Sequence, residues 1–150
     1  NNERMKYSMI FDHSFISSLL WSILSSIKLL ALDIGLKHTG VAYADSNDGI
    51  PLPLNTLHHA NDHELVHAIK EIVLARAIEK IVIGLPLLLS GQEGFQSTFV
   101  RTIAKMLTES GFPVELLDER YTTPRAAESD PDAAAACGIL QVYLDRGRKE

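Results

Sequence analysis

The sequence predicts an α/β fold with a mixed, mainly parallel five-stranded sheet and helices on both of its faces. From residue 28 onward, short apolar runs alternate with longer runs of helical periodicity. A hairpin-sized turn joins the first two apolar runs, which predicts an antiparallel start. Helical runs separate the later strands, as in βαβ units with parallel strands. The predicted strands are 28–34, 40–45, 50–57, 80–86 and 113–119, and the predicted helices are 62–77, 93–110 and 132–144.

The first half of the pattern contains the hairpin, an edge strand and one helix. The turn "GLKHT", residues 35–39, separates the two apolar runs of the hairpin. Residues 50–57 can form a third strand, and their prolines favour a position at the edge of the sheet. Asn61 and Glu64 have the spacing of a capping box, which predicts that helix 62–77 begins there.

The second half contains the central strand and two further helices. Residues 80–86 are continuously apolar, as expected for a strand that is covered on both faces. Helix 93–110 is expected to end before Gly111. Asp130 and Pro131 suit the N-cap and the first position of the last helix. One side of helix 93–110 is predicted to pack on the sheet through Phe95, Phe99, Ile103, Met106 and Leu107.

Composition limits the classes of function. A chain of 150 residues is about one domain, and 46% hydrophobic with 22% charged residues is ordinary for a globular protein. The formal net charge of −5 argues against a protein that coats nucleic acid through bulk positive charge. The single cysteine, Cys137, excludes an intrachain disulfide framework and fits a reducing cytoplasm.

The N-terminal stretch stands apart from this pattern. Residues 14–27 are apolar and serine-rich and carry no charge. They are too few for a membrane span of about 20 residues, and they lack the cleavage site of a signal peptide. We therefore treat residues 1–27 as an N-terminal extension of unclear role and residues 28–150 as the folded domain, and we expect no membrane partner. We favour two explanations for this extension. It is either an accessory amphipathic segment or sequence that lies upstream of the true start of the protein.

Three acidic residues lie at the ends of predicted elements, namely Asp33, Glu119 and Asp132. A carboxylate within an apolar strand costs free energy unless it is paired or neutralised. If strands one and five flank strand four, the three carboxylates can converge, and they must then share protons or bind cations. Oxygen ligands suit Mg²⁺ or Mn²⁺, and two such ions can support phosphodiester hydrolysis. The helix dipole alone could explain Asp132, and Glu119 could simply pair with Arg120.

Two other catalytic patterns are weaker. "HELVH", residues 63–67, matches the H-E-x-x-H motif of zinc peptidases. His63 and His67 point away from the apolar stripe of their helix, and no third ligand is evident, so a solvated helix face is expected. Cys137 lies among small residues of the last helix and is expected in the core.

Four motifs occur in order: "LALDIGLKHTGVAYAD", "IVIGLPLLLSGQEG", "LLDERYTT" and "DAAAACGILQVYLD". Together they closely resemble the YqgF/RuvX family, which has an RNase H-like fold related to Holliday-junction resolvases. The resemblance spans residues 28–145. It implies a metal-dependent cytoplasmic nuclease that matures the 5′ end of precursor 16S ribosomal RNA, although some members are linked to Holliday-junction resolution. By resemblance, the catalytic and metal-binding triad is Asp33, Glu119 and Asp132.

The resemblance also implies partners and a cofactor. The cofactor would be Mg²⁺ or Mn²⁺, and the partner would be nucleic acid. Precursor 16S ribosomal RNA is the first candidate, with branched DNA and ribosomal particles as alternatives, and both a monomer and a homodimer remain open. Backbone N–H groups of the turn after Asp33 could also face a phosphate. The candidate substrate-binding residues are Gly35, Arg120, Thr122, Thr123 and Arg125.

Two departures from the family pattern leave other functions open. The loop "GLPLLLSG" has Leu88 and Ser90 where the family usually has Asn and Asp, and the connection "PRAAESDP" is shorter and holds one arginine. A weakly catalytic RNA-binding assembly factor is therefore a rival hypothesis. The Asp-x-Gly hairpin also resembles the phosphate loop of actin-like ATPases, but those proteins carry two such domains and this chain is too short.

Overall fold

A five-stranded mixed sheet forms the centre of the computed structural model, which describes residues 13–118 and 129–148. The strand order is β3-β2-β1-β4-β5, so β1 and β5 flank β4, which is the condition for the acidic residues to converge. The elements are α1 (His13–Ser25), β1 (Lys28–Ile34), β2 (His38–Asp45), β3 (Leu52–His58), α2 (Asp62–Arg76), β4 (Lys80–Leu85), α3 (Phe95–Glu109), β5 (Val114–Asp118) and α4 (Pro131–Gly147).

Strand pairing brings the ends of three strands to one edge of the sheet. β1 pairs with β2 in antiparallel register, and β2 pairs in the same manner with β3, which forms the predicted edge. β4 runs parallel to both β1 and β5. The carboxyl ends of β1, β4 and β5 therefore lie together, and we call this side of the molecule the carboxyl edge. Ligands in sheets of this kind bind at that edge.

The helices cover both faces of the sheet, as predicted. α2 and α3 bury one core with Leu30, Leu32 and Ile34 of β1. α4 buries a second core on the opposite face with Leu29 and Ala31. Since side chains alternate along a strand, Asp33 belongs to the face that α4 covers.

The buried side of α3 differs from the prediction. Phe95, expected in the core, is the first residue of the helix and is 78% exposed. The prediction counted only apolar residues and overlooked Ser97, which is buried and whose hydroxyl donates to the carbonyl of Pro86. Including Ser97 rotates the buried stripe of the helix. The buried residues of α3 are Ser97, Val100, Ile103, Ala104 and Leu107.

The N-terminal stretch forms helix α1, whose large side chains remain exposed. Phe15, Trp21 and Leu24 are each more than two-thirds exposed. Just after the helix, the hydroxyl of Ser26 donates to the carboxylate of Asp45 at the end of β2. Among the described helices, none is both long and apolar enough to cross a membrane. The division of the chain at residue 27 stays a prediction.

The N-terminus of α4 is fixed by its cap. The carboxylate of Asp130 accepts hydrogen bonds from the backbone N–H groups of Asp132 and Ala133, both at 3.1 Å, which confirms the predicted N-cap. It also accepts a hydrogen bond of 2.7 Å from the hydroxyl of Thr56 in β3. These hydrogen bonds, first that from Thr56, lower the pKa of Asp130. One side chain thus caps α4 and ties it to the edge strand.

We predict that Asp130→Ala lowers the free energy of unfolding by about 1–2 kcal/mol, since an N-cap and a tertiary hydrogen bond are lost together. Asp130→Asn is the matched control, because asparagine caps helices as well as aspartate does. Urea unfolding measures both. Equal losses in the two variants would contradict a capping role.

The segment after β3 buries a histidine at the carboxyl edge. His59 is 7% exposed, and its Nε2 lies 3.0 Å from the hydroxyl of Thr39. Its Nδ1 is buried and has no partner within the described part of the chain. Burial lowers the pKa of His59, because desolvation disfavours the imidazolium. The folded protein therefore favours neutral His59.

This burial predicts a pH dependence of stability. Unfolded His59 titrates near its ordinary pKa of about 6.5. Below that pH the unfolded chain binds more protons than the folded one, so the free energy of unfolding falls as pH is lowered from 7 to 5. The slope should be shallower in His59→Gln. The exposed His67→Gln variant is the control, and equal slopes in all three proteins would contradict the prediction.

Candidate active site at the carboxyl edge

Asp33 lies at the carboxyl edge, one residue before the end of β1. Its side chain is half-buried, while Leu32 and Ile34 on either side are buried in the other face. In the antiparallel ladder Asp33 stands directly opposite Gly40 of β2. Opposed residues have Cα atoms roughly 4.5–5.5 Å apart and project to the same face. The surroundings of Gly40 therefore show what lies next to Asp33.

The main chain of Asp132 lies directly over Gly40. A Cβ added at residue 40 would overlap the carbonyl oxygen of Asp132 and come within 3.1 Å of the backbone nitrogen of Ala133. Only a residue without a side chain allows this approach. Asp132, itself half-buried, is thus held on the α4 face beside the residue that pairs with Asp33. Two of the three predicted acidic residues therefore have neighbouring main chains.

Small residues make the close approach possible. Ala31 and Ala42 form the sheet surface under the first turns of α4. On the helix side, Ala136 and Cys137 pack against them. Short side chains on both surfaces let helix and sheet lie close together, and this places Asp132 over the strand rather than in solvent. The burial of Cys137 also confirms its predicted core position.

The remaining predicted site residues are placed as follows. The N–H of Gly35 donates to the carbonyl of His38 at 2.9 Å, so that donor is used within the turn. A Cβ at Gly35 would come within 2.6 Å of the same carbonyl oxygen, which explains the glycine. Within residues 13–118 and 129–148, no group of three metal-ligating side chains is present. Outside the described residues lie Glu119, Arg120, Thr122, Thr123 and Arg125.

The loop after β4 borders the same edge. Leu87 and Glu93 form a β-bridge, and the N–H of Leu88 donates to the carbonyl of Gln92 at 2.8 Å. Leu88 and Leu89 are exposed at its tip. The loop that departs from the family pattern is therefore a closed turn with an apolar tip.

The histidines of the zinc-peptidase pattern lie on the solvent-exposed side of α2. His63 and His67 are both exposed on α2, as the apolar stripe predicts. His67 lies 3.9 Å from Glu71, one turn along the same helix. The solvated-face interpretation is confirmed.

Sequence reasoning missed two histidines at this edge. His38, the first residue of β2, pairs across the ladder with His58, the last residue of β3. Their opposition depends on the register of β2 and β3, which a bulge shifts between Thr39 and Val41. A register assignment for that hairpin is the signal that could have found them.

Comparison with known proteins identifies the family. A family model described as RuvX, Holliday junction resolvase, matches residues 27–146. This chain belongs to the RuvX family. A relative from Moorella thermoacetica is 37% identical over 80% of this chain and 96% of its own length. Another from Chloroflexus aurantiacus is 34% identical over 80% of this chain and 88% of its own length. Both are described as "putative pre-16S rRNA nuclease".

Solved structures agree on the fold of this RuvX protein. RuvC of T. thermophilus, in a complex with a Holliday junction substrate, aligns with a TM-score of 0.62 at 11% identity, over 82% of this chain and 96% of that one. A Fowlpox virus resolvase aligns with a TM-score of 0.51 at 10% identity, over 80% of this chain and 98% of the resolvase chain. The RuvX resemblance and the RNase H-like fold are confirmed. The comparisons also support the expected class of activity, a nuclease that cleaves phosphodiester bonds.

We predict that Gly40→Ala lowers the free energy of unfolding by about 1–3 kcal/mol, because the new methyl group must displace the backbone of α4. Gly147→Ala is the matched control on the same helix, since its Cβ would meet nothing within 4 Å. Thermal or urea unfolding measures both variants. If Gly40→Ala were as stable as the parent protein, helix and strand would not be in contact at this residue.

Proposed function

We propose that this protein is a divalent-metal-dependent nuclease that acts on structured RNA, in the 5′-end maturation of precursor 16S ribosomal RNA. The observation that carries the proposal is the contact of Gly40 with Asp132, which sets two acidic residues beside one another at the carboxyl edge. Membership of the RuvX family and the description of its relatives support the substrate.

Asp33, Asp132 and Glu119 are the proposed metal ligands. Carboxylate oxygens are the ligands that Mg²⁺ and Mn²⁺ prefer, and half-burial of Asp33 and Asp132 limits competition from water. Glu119 joins them on sequence grounds, because it follows the last residue of β5 in the sequence and the family resemblance assigns it to the acidic triad. Bound cations would supply an acidified water and neutralise charge on the leaving oxygen. The carboxylates would fix the position of those cations.

The substrate contacts remain proposals based on the sequence. Arg120 and Arg125 would contact phosphate through their guanidinium groups, and Thr122 and Thr123 through their hydroxyls. Gly35 would allow close approach of the backbone to the strand being cut. We place this reaction in the cytoplasm, where a lone buried thiol such as Cys137 stays reduced.

Two other functions have specific support. A Holliday-junction resolvase is favoured by the fold of T. thermophilus RuvC. Such an enzyme would be expected to act as a homodimer. A weakly catalytic assembly factor that binds ribosomal particles is favoured by the apolar tip of the loop after β4. A dimeric mass in solution and cleavage of a four-way DNA junction would support the resolvase. RNA binding that survives Asp33→Asn would support the assembly factor.

We predict that Asp33→Asn lowers Mn²⁺-dependent cleavage of a precursor 16S RNA fragment by roughly 100-fold or more, since loss of a supporting metal contact alone commonly costs 10–100-fold. Glu119→Gln and Asp132→Asn should have effects of the same order. Gel analysis of end-labelled RNA measures the rates.

Asp48→Asn is the matched control, because Asp48 is exposed in the turn after β2, on the side of the molecule opposite the carboxyl edge. It should leave the cleavage rate unchanged. Folded Asp33→Asn protein that cleaves at the parental rate would refute the proposed metal site.

A further inference from the structure

Two histidines face each other at the carboxyl edge. The Nδ1 atoms of His38 and His58 lie 2.8 Å apart, with the rings nearly perpendicular at 86°. Both residues are exposed. A nitrogen–nitrogen contact this short requires a hydrogen on one atom and a lone pair on the other. The two imidazoles therefore act as one unit, which we call the histidine pair.

Proton counting shows what the histidine pair offers a ligand. When both rings are neutral, one outward Nε2 carries a hydrogen and the other carries a lone pair. One added proton gives both outward Nε2 atoms a hydrogen and gives the pair a single positive charge. A second added proton would break the bond between the Nδ1 atoms. The singly protonated pair thus carries one positive charge and has an Nε2–H donor on each outer side, and one such donor suits a free oxygen of a phosphodiester.

The position of the pair links it to the candidate active site. Along β2, His38 lies two residues before Gly40 and so shares its face. Gly40 stands opposite Asp33, which makes His38 a diagonal neighbour of Asp33, roughly 7–8 Å away. A duplex strand carries one phosphate per roughly 3.4 Å of helix axis. This separation therefore suits a phosphate one or two nucleotides from the one beside Asp33.

Charged and titratable groups from neighbouring elements lie around the pair. Asp130 of α4 interacts with His58 electrostatically, and its own oxygens are already engaged by Thr56 and by the cap of α4. His59, which follows β3, also interacts with both rings, and burial favours its neutral form. Glu64 of α2 acts on His59. When it carries a proton, the pair is a cation on the face where Asp33, Asp130 and Asp132 are acidic groups among the described residues.

We propose that the histidine pair, His38 and His58, binds a backbone phosphodiester of the nucleic-acid substrate next to the phosphate that is cut. This inference rests on the proposed nuclease function, because it takes the substrate to be a nucleic acid that enters at the carboxyl edge. The alternative is a pair that only stabilises the ends of β2 and β3. Binding measurements separate the two, because a packing pair contributes nothing to affinity.

The test measures binding of the full chain to a precursor 16S RNA fragment and to a four-way DNA junction, in Ca²⁺ at pH 6, over a series of salt concentrations. His38→Gln and His58→Gln should each weaken binding of the true substrate by about three- to tenfold. The slope of log K against log salt should become shallower by about 0.7–0.9, the value of one phosphate contact. The double variant should lose little more than either single variant, because the pair acts as a unit.

His63→Gln and His67→Gln are the matched controls, since both residues are exposed histidines on α2. They should leave affinity and salt slope unchanged. Parental affinity and slope in folded His38→Gln and His58→Gln proteins would overturn the phosphate site, whether or not thermal stability changes. The proposed nuclease function would still be supported in that case if Asp33→Asn lowers cleavage as predicted above. Failure of the parent protein to bind or cut either nucleic acid would overturn both.

Discussion

The contact between the first turn of α4 and Gly40 is the constraint on which the candidate site depends. It joins an element near the end of the chain to the first hairpin, and it needs a residue without a side chain at position 40. Small residues on both surfaces allow the approach, and the cap at Asp130 holds the helix N-terminus against β3. Without this approach, Asp33 and Asp132 would be two unrelated carboxylates.

One face of the sheet carries the polar chemistry of the carboxyl edge. Asp33, Gly40 and His38 all lie on the face of the sheet that α4 covers, because successive residues of β1 and β2 alternate between the two faces. The opposite face is filled by the larger aliphatic residues of the α2 and α3 core. Large aliphatic residues therefore fill the core on one face of the sheet, and small residues on the other face leave room for polar groups. Hydrophobic burial on the first side offsets the cost of polar groups on the second.

Local sequence signals predicted much of this fold. Continuous apolar runs located β1 and β4, prolines marked β3 as an edge strand, and the N-cap at Asp130 followed from residue type alone. Non-local facts were out of reach. Gly40 was predicted only as the first residue of the second strand, and its contact with Asp132 joins residues more than 90 positions apart in the sequence. The opposition of His38 and His58 depends on a bulge, and Phe95 was misplaced because a buried serine defines the true side of α3.

The central claim is that Asp33 and Asp132, with Glu119, hold divalent cations at the carboxyl edge. A crystal of the protein soaked in Mn²⁺, with anomalous diffraction data, tests it most directly. The expected result is an anomalous peak for a Mn²⁺ ion that the carboxylates of Asp33 and Asp132 bind jointly, with Glu119 as a further ligand. A well-occupied Mn²⁺ site elsewhere, with these carboxylates turned apart, would contradict the claim.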